Sequence, residues 1–188
     1  KEIGVVTQDK VTSFAFAPHG SEEDKPFFLL VGSCGESSSL TRFYQMPPCD
    51  KEKFKSLSRG GQEMDFVFSR NGHAVIIWTQ HIVDNTGQSY YGNHDLRYVQ
   101  LGGGNKRSKV AVFDNQVSDV AWSPDSEDFI VISGKQPAVC TLYTKNCVPT
   151  FEFGRIHVNT IRYSPFSNLV LLGGFGNLVG NIRRWKKD

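Results

Sequence analysis

No stretch of this 188-residue chain approaches the roughly 18 consecutive apolar residues that a membrane-spanning helix needs. Nothing in it therefore points to a membrane partner. Strong charge of either sign is also missing: 21 Lys and Arg stand against 19 Asp and Glu, a net charge of +2. Any contact with nucleic acid must then come from local patches. Cysteine is sparse, at Cys34, Cys49, Cys140 and Cys147. These spacings match no zinc motif, and a chain this long does not need disulfide staples, so reduced thiols in the cytoplasm are expected. Asn-x-Ser/Thr sequons are absent. The chain opens at Lys1-Glu2-Ile3 without an initiator Met or a signal peptide, which reads as a piece excised from something longer.

Catalytic and cofactor signatures fail in the same way. Gly102-Gly-Gly-Asn-Lys106 and Gly173-Gly-Phe-Gly-Asn-Leu-Val-Gly180 are glycine-rich, but neither carries the Lys-Ser/Thr pair of a phosphate loop. Their glycines are expected in turns, where Gly supplies positive φ. No G-x-S-x-G nucleophile elbow is present. The histidines His19, His73, His81, His94 and His157 form no i, i+4 pair and no Cys/His box. His94, beside Asp95, reads as a surface-loop histidine. No cofactor, no metal and no catalytic residue are expected, and the chain reads as a non-enzyme.

What is abundant is a pattern. Val11-Thr-Ser-Phe-Ala-Phe16 precedes Ala17-Pro-His-Gly20, and Met64-Asp-Phe-Val-Phe68 precedes Ser69-Arg-Asn-Gly72. Val117-Ser-Asp-Val-Ala-Trp122 precedes Ser123-Pro-Asp-Ser126, and Val158-Asn-Thr-Ile-Arg-Tyr163 precedes Ser164-Pro-Phe-Ser167. Each alternates apolar with polar residues and stops in a turn, the mark of a half-buried strand. Ala17, Ser69, Ser123 and Ser164 are 52, 54 and 41 residues apart, near the roughly 40–45 residues of a WD-type repeat if the first two carry insertions. The 14 Phe and 18 Gly suit short strands and tight turns.

These repeats predict an all-β fold: a β-propeller sector of about four four-stranded antiparallel blades. The chain reads as one propeller fragment, 1–188, with blades near 8–60, 61–114, 115–155 and 156–188. The last blade lacks its fourth strand, and residues 1–7 look like a fourth strand of a preceding or closing blade. A sector cut from a larger ring fits better than a closed four-bladed one. Its open strand edges would seek partners, an edge-to-edge dimer of the piece among them.

Two basic clusters stand out, Lys106-Arg107 with Lys109 and Arg183-Arg184 with Lys186-Lys187. A looser one spreads over Lys51, Lys53, Lys55 and Arg59. The ordinary reading is solvated loops or edge strands blunted by charge. The functional reading is phosphate contact with RNA, which gives affinity without reading sequence. Tyr90 and Tyr91, in a long insertion, either stack on exposed bases or pack on a neighbouring blade.

Val83-Asp-Asn-Thr-Gly-Gln-Ser-Tyr-Tyr-Gly92 resembles the V-D-x-T-G-x-S-Y-Y-G insertion of the eukaryotic translation initiation factor 2A family. Gly134-Lys-Gln-Pro-Ala138, Phe151-Glu-Phe-Gly154, Tyr163-Ser-Pro165 and Leu169-Val-Leu-Leu-Gly-Gly-Phe-Gly-Asn-Leu-Val-Gly180 follow in the family's order. The resemblance covers about residues 63–188. Trp185-Lys186 departs from the family's more frequent Trp-Asp. The resemblance implies a propeller of about nine blades, of which this chain is a middle portion. It also implies a cytoplasmic role at the small ribosomal subunit, assisting GTP-independent recruitment of initiator tRNA, with other initiation factors as partners. Contacts with tRNA and mRNA would fall partly on regions outside this chain. No family motif assigns individual RNA-contacting residues here. The rival reading is a WD-type protein-interaction scaffold that binds no RNA.

Overall fold

The computed structural model describes residues 2, 4–18, 27–46, 52–81, 94–101, 116–178 and 180–187, together with the backbone of 107–113. The strand order is β1 (Val11–Phe16), β2 (Phe27–Ser33), β3 (Ser38–Met46), β4 (Glu52–Arg59), β5 (Glu63–Phe68), β6 (Ala74–Gln80), β7 (His94–Gln100), β8 (Arg107–Phe113), β9 (Val117–Trp122), β10 (Asp128–Ser133), β11 (Ala138–Thr144), β12 (Pro149–Ile156), β13 (Thr160–Tyr163), β14 (Leu169–Gly173) and β15 (Ile182–Lys186). They form four sheets in the orders β1-β2-β3-β4, β5-β6-β7-β8, β9-β10-β11-β12 and β13-β14-β15. Sequence-ordered antiparallel meanders of this size are the blades of a β-propeller. Residues 4–8 lie in none of the four sheets. No helix among the described residues is long and apolar enough to cross a membrane.

The chain divides into two compact units, Lys1–Val112 and Phe113–Asp188. In the first, alternation turns one face of each sheet inward. Leu30, Phe43 and Phe54 meet Met64, Val75, Ile77 and Val99 in one buried cluster. Phe43 and Phe54 stack at 4.3 Å across the β3–β4 pair. Fully burying a side chain such as Phe43 contributes about 1.5–3 kcal/mol. Gly32 in β2 lets the sheets close, since a Cβ there would stand 2.3 Å from Met64 Sδ. In the second unit, Ile130, Ile132 and Cys140 pack with Ile161, Val170 and Leu172.

A single turn recurs where β5, β9 and β13 end. The backbone N–H groups of Ser69, Ser123 and Ser164 donate to the carbonyls of Ala74, Asp128 and Leu169, each at 2.9 Å. Each serine hydroxyl in turn accepts from the N–H of the same residue, at 2.9, 3.2 and 3.0 Å. The fourth turn residue, Gly72, Ser126 or Ser167, has φ of 68°, 63° or 60°. The repeated sequence is thus a repeated hydrogen-bonding device, which explains why Ser recurs at that position.

Candidate nucleic-acid interface

The cation cluster at the end of the chain lies on β15, where successive side chains face opposite sides of the sheet. The register pairs Leu172 with Arg183 and Val170 with Trp185, so Arg183 and Trp185 share the side that carries the core. Arg184 pairs with Leu171, and Leu171 with Arg162 of β13. Arg162, Leu171 and Arg184 therefore form one cross-strand row on the open side, with Lys186 two residues beyond Arg184. The Arg162 side chain is 73% exposed, its guanidinium 3.8 Å from Asp119. Asp119 Oδ2 is itself engaged, accepting from the Ile161 N–H at 2.7 Å. The alternation is legible in the sequence; the membership of Arg162, from another strand, is not.

Lys187 belongs to neither side. Its ammonium bonds to Asp128 Oδ2 and lies 3.6 Å from Asp125 Oδ2. Asp128 is buried and also accepts from the Tyr163 hydroxyl at 3.0 Å. Burial by itself lowers the Lys187 pKa, but the Asp128 hydrogen bond and the charges of Asp128 and Asp125 outweigh it and hold it above the ordinary lysine value. Burial, together with the Asp128 charge and hydrogen bond, pushes the Tyr163 phenol well above its usual range. Lys187 is a structural cation, committed to carboxylates.

Behind this group lies a cleft of about 510 Å³, lined by Leu142, Phe151, Phe153, Tyr163, Val170 and Trp185, with Lys186 and Lys187 at its rim. Phe151, Phe153 and Trp185 contact one another edge to face, with centroids 5.0–6.2 Å apart. The Trp185 indole N–H is buried and has no hydrogen-bond partner among the described residues. Nothing in the sequence pattern singles out this cleft, since its aromatics come from three strands, β12, β13 and β15.

In the first unit, His94 departs from expectation. It opens β7 and is 4% exposed, and its Nδ1 accepts from the Trp78 indole N–H at 2.9 Å. Burial, with a smaller contribution from the charge of His81, lowers its pKa to about 4. It is a neutral core histidine, not a loop residue, because the indole donor in β6 needs a buried acceptor.

Lys106, Tyr90 and Tyr91 lie outside the described residues, and Arg107 and Lys109 fall in β8, where the backbone alone is described. Of the looser group, Lys51 is outside the described residues, while Lys53, Lys55 and Arg59 are exposed residues of β4, its second, fourth and eighth. Among the described residues no group of three or more His, Cys, Asp or Glu is placed to hold a metal. Burial pushes the Cys140 thiol up to about 12, so it is not a poised nucleophile.

Comparison with known proteins adds to this geometry. The family model described as eukaryotic translation initiation factor eIF2A matches residues 55–188. Eukaryotic translation initiation factor 2A of Dictyostelium discoideum is 31% identical over 193 residues, covering 98% of this chain and 31% of that protein. The Drosophila melanogaster protein of the same name is 29% identical over 160 residues, covering 84% and 25%. This chain thus spans about a third of the length of such relatives, or less. A crystal structure described as that of the eukaryotic initiation factor superposes with a TM-score of 0.75 at 21% identity, over 94% of this chain and 40% of that one. Prolyl oligopeptidase B from Galerina marginata, bound to a 35mer substrate, reaches 0.52 at 14% identity over 98% of this chain and 26% of that one. At these identities the likeness is one of fold.

Proposed function

Because this chain belongs to the eukaryotic translation initiation factor 2A family, we propose that it is a non-enzymatic propeller platform through which the longer protein docks on the small ribosomal subunit. In that role it assists GTP-independent recruitment of initiator tRNA in the cytoplasm, beside other initiation factors. The observation that carries this reading is the row of Arg162 and Arg184 across the β13–β15 sheet, extended by Lys186, all three exposed. Cations fixed on strands suit a phosphate backbone, because each one displaces counterions without reading bases.

Co-sedimentation of the 188-residue chain with purified small ribosomal subunits across a salt series, beside a bulk tRNA control, tests it. Saturable binding that weakens steeply with salt is the expected result. Absence of binding at low salt overturns it.

A second reading has its own support. The aromatic cleft at Phe151, Phe153 and Trp185 is apolar, a feature that suits side chains of an extended peptide. A protein-interaction scaffold without RNA binding would retain its partner at salt concentrations that strip a phosphate-driven contact.

A further inference from the structure

The first blade ends in β4, an edge strand whose sequence from 52 is Glu-Lys-Phe-Lys-Ser-Leu-Ser-Arg. Phe54, Ser56 and Ser58 are buried, and the stacking of Phe54 on Phe43 fixes which side faces in. Lys53 and Lys55 are thereby held outward on a rigid element, both exposed and about 6.7 Å apart along the strand. A register shift at Phe43/Tyr44 leaves Lys53 opposite no residue, and such a bulge re-aims side chains.

Blunting an edge against aggregation needs only scattered charge of either sign. The arrangement here goes further. Lys55 pairs directly with Arg42 of β3, so two like charges face each other across the ladder, an arrangement that destabilises a sheet. Glu52, on the same strand, is engaged with Arg42 at 3.4 Å, leaving both lysines to solvent. Glu52 thus offsets the Arg42 charge, and the two lysines remain as solvent-facing cations on a fixed strand, an arrangement that suits an anionic ligand with repeating charge.

We propose that the outward side of β4, carrying Lys53 and Lys55, is a second RNA-backbone contact of this protein, separate from the β13–β15 row. The inference rests on the reading that the protein meets RNA, and names where the first blade does so. The contact follows the phosphates of a single strand and reads no sequence.

The test is fluorescence anisotropy of a labelled oligouridylate titrated with the 188-residue chain across a salt series. Wild type is compared with Lys53→Ser/Lys55→Ser, with Lys53→Arg/Lys55→Arg, and with Lys145→Ser, which removes an exposed lysine already paired with Glu127. The serine pair is expected to lower the log–log salt slope by about 1.4, since each phosphate of a single strand that goes unneutralised removes about 0.7. The arginine pair should restore it, and Lys145→Ser should leave it unchanged, with melting curves confirming that all variants fold. A wild-type slope in the serine pair overturns the proposal. So does equal competition by polyglutamate at matched charge, which would assign the row to an acidic peptide. If the serine pair still binds small subunits like wild type, this proposal alone fails. If wild type binds neither subunits nor oligouridylate, the function proposed above fails with it.

Discussion

The Trp78 indole donates to Nδ1 of His94 at 2.9 Å, joining neighbouring strands β6 and β7 through a buried imidazole that must stay neutral to accept. With its pKa lowered from 6.5 to about 4 by burial and by the charge of His81, His94 takes up a proton more readily in the unfolded chain than in the folded one. Its contribution is fully present above pH 6.5 and is lost as the pH falls toward 4. Across that window stability should decline by up to about 1.4 kcal/mol per pH unit from this one group. His94→Gln, which offers the indole a carbonyl acceptor that does not titrate, should flatten that part of the profile. Urea unfolding at stepped pH measures it; equal slopes in both proteins would show that His94 is not the sensor.

Lys187 should behave as part of the core and not as part of an RNA surface. Replacing it with Ser leaves the buried Asp128 carboxylate with the Tyr163 hydroxyl but without its cation. A loss of about 1–2 kcal/mol is expected, reduced from the fully buried case because the ammonium is partly solvated. Asp128→Asn on the same background should recover part of it. Ribosome co-sedimentation of Lys187→Ser, below its melting point, should keep the wild-type salt slope. A lower slope at wild-type stability would instead make Lys187 a phosphate contact.

The difference between what is and is not legible in the sequence follows from range. Strands such as Val11–Phe16 and Val117–Trp122 are readable because apolar and polar residues alternate within six residues, although in Val11–Phe16 the side carrying Phe14 and Phe16 is the exposed one. The three-stranded last sheet is readable for the same reason. Adjacency in sequence groups Lys187 with Arg183, Arg184 and Lys186, yet its partner Asp128 is 59 residues away. The burial of His94 depends on an indole in a different strand, and Arg162 joins Arg184 only through Leu171 between them. Local pattern fixes which way a side chain points, whereas its neighbours are set by pairing.

Gly72 offers a sharp test of the recurring turn. Ser126 and Ser167 show that an L-residue tolerates the left-handed backbone at this position, at some cost. At Gly72, however, a Cβ would stand 1.9 Å from the Pro18 carbonyl oxygen. Gly72→Ala should therefore cost more than the about 1–2 kcal/mol of left-handed strain alone, because the Pro18 backbone must also shift. Ser126→Ala, which already holds the left-handed conformation, should cost less. Denaturant midpoints of the two variants compare them directly, and equal losses would remove the steric argument.

The split of the β15 cations makes the last prediction. If the open side of β13–β15 meets phosphate, Arg184→Ser/Lys186→Ser should weaken small-subunit binding and lower the salt slope by about 1–2, at roughly one unit per phosphate left unneutralised. Arg184 and Lys186 are both exposed, so stability should change by less than about 0.5 kcal/mol. Arg183→Ser, two residues from Trp185 on the other side, should leave the slope unchanged although it too removes a positive charge. Arg162→Ser should add to the double variant's effect despite its distance in sequence, because Leu171 alone separates it from Arg184 in the sheet. Co-sedimentation isotherms for the four proteins decide the matter. An effect of Arg183→Ser equal, per charge removed, to that of the double variant would mean that net charge governs binding, and that the side of the sheet does not.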